Sequence, residues 1–319
     1  MQKKKQSLRI IFAGTSNFSA CYLKTLILSH HIILGILTQP DRPNTRGNII
    51  TQTPVKQLAS KYNIPTFQPH TLQNQTDYIN ILHTKADIMI VVAYGLILPV
   101  CILHAFPMGC INVHASLLPN WRGAAPIQWA ILKGEKKTGI TIIQMDEKLD
   151  SGQILYQQSC NILPDDTTSS LLNKLSQIGS KVILKVLKKI QNKNIIPIIQ
   201  DEKKATYAKK LSKSMGKINF FKDAQYIERM IRAFHPWPGT YIEIQNMKIK
   251  IHQANIIKSN LRYHIGQIVK INKNGMQVQT KKHILNIQKI QIPGKKIISV
   301  YQFAQTNNKI FQINKIITI

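Results

Sequence analysis

The first two thirds of the chain alternate short apolar runs with stretches of helical period, and that rhythm limits the folds open to it. The runs are LRIIFAG at 8–14, IILGILT at 32–38, ADIMIVVAY at 86–94, CINVH at 110–114 and GITIIQM at 139–145. Helix-period segments lie between them at 18–28, 54–62 and 125–132. Strands separated by helices fold as βαβ units, so the expectation is an α/β domain with a doubly wound, mostly parallel sheet. The run at 86–94 is apolar at successive positions, which predicts a central strand covered on both faces. A long amphipathic helix is expected next. Leu171, Leu172, Leu175, Ile178, Val182, Val186 and Ile190 recur at three- and four-residue steps after the cap-like DTTS at 166–169. Residues 193–213 are polar and Lys-rich and read as a linker. Beyond 214 the pattern changes to one helix at 224–234 and then alternating runs such as MKIKIH at 247–252 and GMQVQT at 275–280. Those predict a small antiparallel barrel or sandwich. The domains expected are therefore 1–192, a linker at 193–213, and 214–319.

The 319 residues suit two domains, and 44% apolar with 7% aromatic residues suits a globular chain. No run of eighteen apolar residues occurs, so no membrane span is expected. The charged start at 1–6 leads into no signal-type apolar region, and the expected location is the cytosol. The cysteines, Cys21, Cys101, Cys110 and Cys160, are not spaced as CxxC and read as buried, reduced thiols. Net charge is +29. Residues 244–319 hold 13 Lys and Arg and no acidic residue, whereas residues 1–208 hold 23 basic and 11 acidic ones. Either the C-terminal domain faces a polyanion, or Lys has drifted upward in a chain already rich in Asn and Ile.

Several polar groups fall at expected strand ends, where open α/β sheets bind ligands. GTSNF at 14–18 is a β–α turn without the GxGxxG spacing, so it carries no dinucleotide fingerprint. Asn112 and His114 are two apart on one strand, which puts both side chains on one face. An amide donor beside an imidazole suits an oxyanion, although the pair is equally readable as two satisfied loop residues. No second His or Cys stands at ligand spacing nearby, so no metal site is expected. Asp150 in LDSG can orient and protonate the imidazole, or serve only the turn; Asp146 is a further acidic candidate. No GxSxG occurs, and covalent catalysis is disfavoured. TQPDRPNTRG at 38–47 brings Arg42 and Arg46 to the same rim, as a solvated loop or as an anion contact.

In this order the motifs resemble the methionyl-tRNA formyltransferase family. FAGT (12–15), TQPDRP with a later RG (38–43, 46–47), VVAYGLILP (91–99), GCINVHASLLPNWRGAAPIQWA (109–130), TGITIIQMDEKLDSG (138–152), TYAKKLSK (206–213) and RAFHPWPGT (232–240) carry the match over nearly the whole chain. The resemblance implies a Rossmann-like formyltransferase domain followed by an OB-like β-barrel lining a basic tRNA channel. It implies that Asn112, His114 and Asp150 are the catalytic set and that Ser116, Leu117, Leu118 and Pro119 contact the folate. It also implies that Tyr94, Gly95 and Leu96 line the pterin pocket, that Phe18 lies near the methionyl side chain, and that Arg42 and Arg46 sit on the loop engaging the tRNA acceptor end. The implied reaction moves a formyl group from 10-formyltetrahydrofolate to the amine of methionyl initiator tRNA, through an oxyanion stabilised by Asn112 and protonated His114, without a metal. A monomer free of membranes is expected. Two departures stand out. The first turn reads TSNF where the family often has TPDF, which bears on its rigidity, and NII follows Gly47 where Lys is common. The rivals are a formyltransferase acting on a sugar nucleotide or glycinamide ribonucleotide, and a non-catalytic RNA-binding relative.

Overall fold

The computed structural model describes residues 7–43, 50–245, 247–306 and 310–317. They divide into two compact units, one within Met1–Gly123, Lys137–Cys160 and Leu172–Tyr207, the other within Ala124–Lys136, Asn161–Leu171 and Ala208–Ile319.

The first unit is built on a seven-stranded sheet. Its strands are β1 (Arg9–Gly14), β2 (Ile32–Leu37), β3 (Thr66–Phe67), β4 (Ile88–Val92), β5 (Cys110–His114), β6 (Lys137–Gln144) and β7 (Ile154–Asn161). In space they run β7-β6-β5-β4-β1-β2-β3. β1 pairs parallel with β2 and β4, and β4 pairs parallel with β5. β6 is antiparallel to β5, with His114 opposite Thr141. An apolar run marks a strand but not its direction; the sheet is mostly parallel, as expected, with β6 the antiparallel exception beside β5. All of β4 is buried, as its unbroken apolar run requires. Ile11, Ala13, Met89 and Val91 join Tyr78, Ile81, Tyr94 and Ile102 in one core cluster. Alternate residues Ile10, Phe12, Ile88 and Ile90 are fully buried too, so both faces are covered.

The turn after β1 depends on close approach. A Cβ on Gly14 would meet the Val92 carbonyl oxygen at 2.9 Å and the Ser19 Cβ at 2.6 Å. Helix α1 (Asn17–Ile27) then starts from a capping box in which Ser16 accepts from the Ser19 backbone and the Ser19 side chain accepts from the Ser16 N–H. Ser19 Oγ also donates to the Val92 carbonyl at 2.5 Å. The serine that departs from the family pattern therefore fixes this turn by hydrogen bonds where proline would fix it by its ring.

Further helices are α2 (Pro54–Lys61), α3 (Ile79–Leu82), α4 (Val100–Leu103), α5 (Pro126–Lys133), α6 (Thr168–Gln191), α7 (Ala224–Ala233) and α8 (Val300–Thr306). α6 begins at the expected place, with reciprocal Thr167 and Ser170 side chain–backbone bonds. Its Gly179 lies against α1, where an added Cβ would stand 1.8 Å from the hydroxyl of fully buried Tyr22. The second unit carries a separate six-stranded sheet of β8 (Thr240–Ile244), β9 (Met247–Ile257), β10 (Ile268–Asn272), β11 (Gly275–Gln279), β12 (Ile284–Gln291) and β13 (Ile297–Ser299). Among the described residues these strands pair antiparallel, in keeping with the alternating runs.

No disulfide joins the cysteines, but only Cys110 is fully buried, and burial pushes its thiol up to about 12. Cys21 and Cys101 are exposed, against expectation, because both sit on outward turns of short helices. Among the described residues no helix is long and apolar enough to cross a membrane.

Candidate functional site

β5 ends with Asn112 and His114 on one face, and the chain then turns through 115–123 before α5. Asp150, from the turn after β6, reaches both. Asn112 Nδ2 donates to Asp150 Oδ1 at 3.2 Å, and His114 Nδ1 lies 3.5 Å from Oδ2. The Gly123 N–H also donates to Oδ2, at 2.8 Å. His114 Nε2 lies 2.8 Å from the Trp121 carbonyl oxygen. A carbonyl only accepts, so Nε2 carries a proton. Nδ1 faces the Asp150 carboxylate. The imidazole and carboxylate side chains are 6% and 11% exposed, which shields the pair from water while leaving an opening.

The segment after His114 is braced against β6. Thr141 Oγ1 donates to the Ser116 carbonyl at 2.7 Å and accepts from Leu118 N–H at 3.0 Å. Gln157 Nε2 donates to the Leu118 carbonyl at 2.7 Å. Ser116 is fully buried and its hydroxyl donates to the Asn120 carbonyl, so it shapes the loop with its side chain rather than presenting it. Leu118 is buried with Ile143 and Ile154, Leu117 is partly exposed, and the Leu118–Pro119 bond is cis.

At the end of β4, the Tyr94 carbonyl accepts from Thr15 Oγ1 at 2.8 Å. Its ring is 2% exposed, and its hydroxyl has no hydrogen-bond partner among the described residues. Gly95 is exposed at φ +92° and Leu96 packs on the core edge. Phe18 is buried on the first turn of α1, tilted against Tyr22. Arg42 is exposed and donates to Gln39 Oε1 at 3.2 Å. The base of its loop is held by Lys56, which donates to Asp41 and Gln68 at 2.6 Å each. Lys56 holds the Asp41 carboxyl below its ordinary range. Arg46 lies outside the described residues. Asp146 accepts from Ser151 and from the Lys148 N–H, the work of a turn residue.

The sequence reading missed what surrounds Asp150. Arg122 follows Asn112 and His114 closely in sequence, yet it is 2% exposed and points at Gln200 and Glu202. Glu202 holds that guanidinium above its usual value, and Arg122 holds the Glu202 carboxyl below its own. Gln200 and Glu202 fall in the stretch expected to be a linker, where a lone Gln gives no pattern to find.

Two family models match the chain: formyl transferase over residues 5–187, and formyl transferase C-terminal domain over residues 210–308. The methionyl-tRNA formyltransferase of Buchnera aphidicola subsp. Schizaphis graminum (strain Sg) is 50% identical over 313 residues, covering 98% of this chain and 100% of the relative. That of Buchnera aphidicola subsp. Acyrthosiphon pisum (strain Tuc7) is 48% identical over 314 residues, covering 98% and 100%. Among solved structures, WlaRD, a sugar 3N-formyl transferase solved in the presence of dTDP and 5-N-formyl-THF, superposes with a TM-score of 0.66 at 19% identity, covering 91% of this chain and 100% of that one. Glycinamide ribonucleotide transformylase 1 from Symbiobacterium toebii gives 0.51 at 16% identity, covering 63% and 98%. These two likenesses establish a shared fold; the near-full-length identity to the Buchnera proteins discriminates among its members.

Proposed function

The chain belongs to the methionyl-tRNA formyltransferase family, and on that premise we propose that it transfers the formyl group of 10-formyltetrahydrofolate to the amino group of methionyl initiator tRNA, with Asn112, His114 and Asp150 at the reacting centre. One observation carries the residue assignment: a buried carboxylate joins an amide and an imidazole at the carboxyl end of a sheet strand.

Each group then has a task. Asn112 Nδ2 spends one hydrogen on Asp150 and has a second for the oxyanion that develops when the amine attacks the formyl carbon. His114 Nδ1 lies 3.5 Å from Asp150 Oδ2, longer than a good hydrogen bond, so this nitrogen stays available to an oxygen placed beside the carboxylate in the ring plane. Asp150 sustains the charge on the ring and relays, through water, the proton lost by the attacking amine to N10, which leaves as tetrahydrofolate when the formyl C–N10 bond breaks. The interaction strengthens as charge develops, which is the condition for raising kcat rather than only tightening binding. Ser116, Leu117, Leu118 and Pro119 form one wall of the donor site, and Tyr94, Gly95 and Leu96 another. The orphaned Tyr94 hydroxyl supports a ligand there, since buried hydroxyls are rarely left unpaired. Phe18 and Arg42 face the aminoacyl end in this reading, and the basic second domain, 214–319, binds the tRNA body. The enzyme acts as a cytoplasmic monomer.

The test is formyl transfer from 10-formyltetrahydrofolate to charged initiator tRNA, run beside free methionine, an amino-sugar nucleotide and glycinamide ribonucleotide. Transfer to the charged tRNA alone is expected. Transfer to one of the small acceptors with none to the tRNA would replace this reading by that acceptor.

A further inference from the structure

Two non-glycine residues beside His114 hold left-handed backbone, Trp121 at φ +63° and Asp150 at φ +52°. Such conformations are disfavoured for side chains, a bulky one most of all, and they persist where surrounding contacts hold them. One presents the carbonyl that accepts from His114 Nε2 and the other presents the carboxylate beside Nδ1. The same short strip, residues 200–206, meets both.

Gln200 is 6% exposed, and every bond of its amide is directed inward. Nε2 donates to the Asp150 carbonyl and to the Gly152 carbonyl, at 2.8 Å each. Oε1 accepts from Arg122 Nε at 3.1 Å and from Nη2 at 2.8 Å. Arg122 is fixed in turn by two bonds to Glu202, of 2.9 and 2.8 Å. At the other end of the strip, Thr206 Oγ1 accepts from the Trp121 N–H at 2.8 Å and its carbonyl accepts from the Arg122 N–H at 2.8 Å. The two donors of one side-chain amide thus hold the carbonyl of the left-handed residue that carries the carboxylate and that of Gly152, two positions on.

We propose that Gln200 is a positioning residue for formyl transfer, holding Asp150 in its left-handed conformation so that the carboxylate stays against Asn112 and His114. This rests on the reading of those three residues as the reacting centre. A shift of about 1 Å in such a group costs on the order of 100-fold in rate.

The test is a double-mutant cycle in the full chain, measured by single-turnover formyl transfer to charged initiator tRNA. Gln200→Glu keeps the side chain's length and an acceptor for Arg122, loses both N–H donors, and sets a carboxylate oxygen against two carbonyls. It is expected to lower the transfer rate about 10- to 100-fold, with KM for both substrates within about twofold of wild type. Added to Asp150→Asn it should lower the rate less than about twofold further, because the group it positions is already disabled. A wild-type rate in Gln200→Glu overturns the proposal, as does an equal loss in both backgrounds, which would mark a general structural role. A wild-type rate in Asp150→Asn removes Asp150 from the chemistry and overturns both readings together. Should Gln200→Glu fail to fold, Gln200→Met, which drops the donors without adding charge, carries the same expectations; if neither folds, Gln200 is a stability residue and the proposal fails.

Discussion

Asn112 and His114 differ in how much of their hydrogen-bonding capacity is already committed. The imidazole has one nitrogen on a carbonyl and the other beside a carboxylate, whereas the amide keeps one N–H unassigned. Losing an oxyanion donor costs about 10²–10³-fold in turnover. Asn112→Ala and His114→Ala are each expected to fall in that range with the fold kept, since neither side chain belongs to an apolar core cluster. Far-ultraviolet circular dichroism would check the fold and initial rates at saturating donor would check turnover. Near-normal turnover in both variants would exclude them from the chemistry. His114→Ala has a second consequence: it leaves the Trp121 carbonyl without its donor, so its melting temperature should drop more than that of Asn112→Ala.

Elements show most plainly where sequence reading succeeds and where it stops. Strand positions were legible because burial on both faces leaves an unbroken apolar run, as in Ile88–Val92. The pairing of Asn112 with His114 was legible from period two alone. What brings Asp150 to them was not, because a left-handed turn and a side-chain amide fifty residues away leave no periodic trace. The stretch around Gln200 read as a linker for the same reason: its bonds are made by single polar side chains. Gly179 on α6 is a comparable case, since a glycine inside a helix ordinarily only weakens it. Here it admits the Tyr22 hydroxyl. Gly179→Ala should therefore destabilise the protein by about 1–3 kcal/mol despite the better helix propensity of alanine. Tyr22→Phe removes the nearest atom but leaves ring carbons at 2.6 and 2.9 Å from the added Cβ, so it should recover only part of that loss in the double variant. Denaturant unfolding reads both, and a Gly179→Ala protein as stable as wild type would mean that the helices shift apart at no cost.

For the whole molecule, the segregation of charge sets the expected response to salt. On β9, Lys248 and Lys250 are exposed while Ile249 and Ile251 are buried, so one face of the strand carries the positive charge. Lys248 is 3.7 Å from Glu243 and lies over the Tyr241 ring, which leaves Lys250 and the exposed pair Lys295 and Lys296 as the freer cations. Each phosphate they meet releases counterions, so log K for tRNA should fall linearly with log salt, by roughly 0.7–0.9 per phosphate. Replacing Lys250, Lys295 and Lys296 by Gln should flatten that slope and leave folate affinity unchanged; an unaltered slope would assign the charge excess to compositional drift. The strip at 200–206 has one more consequence, which concerns time. It follows the sheet and α6 in the chain, so during synthesis the strands that bear Asn112, His114 and Asp150 leave the ribosome before the amide that clamps them does. With Gln200 as the positioning residue, a nascent chain carries these side chains unclamped until that late segment emerges, so the order of translation delays the full rate until the first unit is whole.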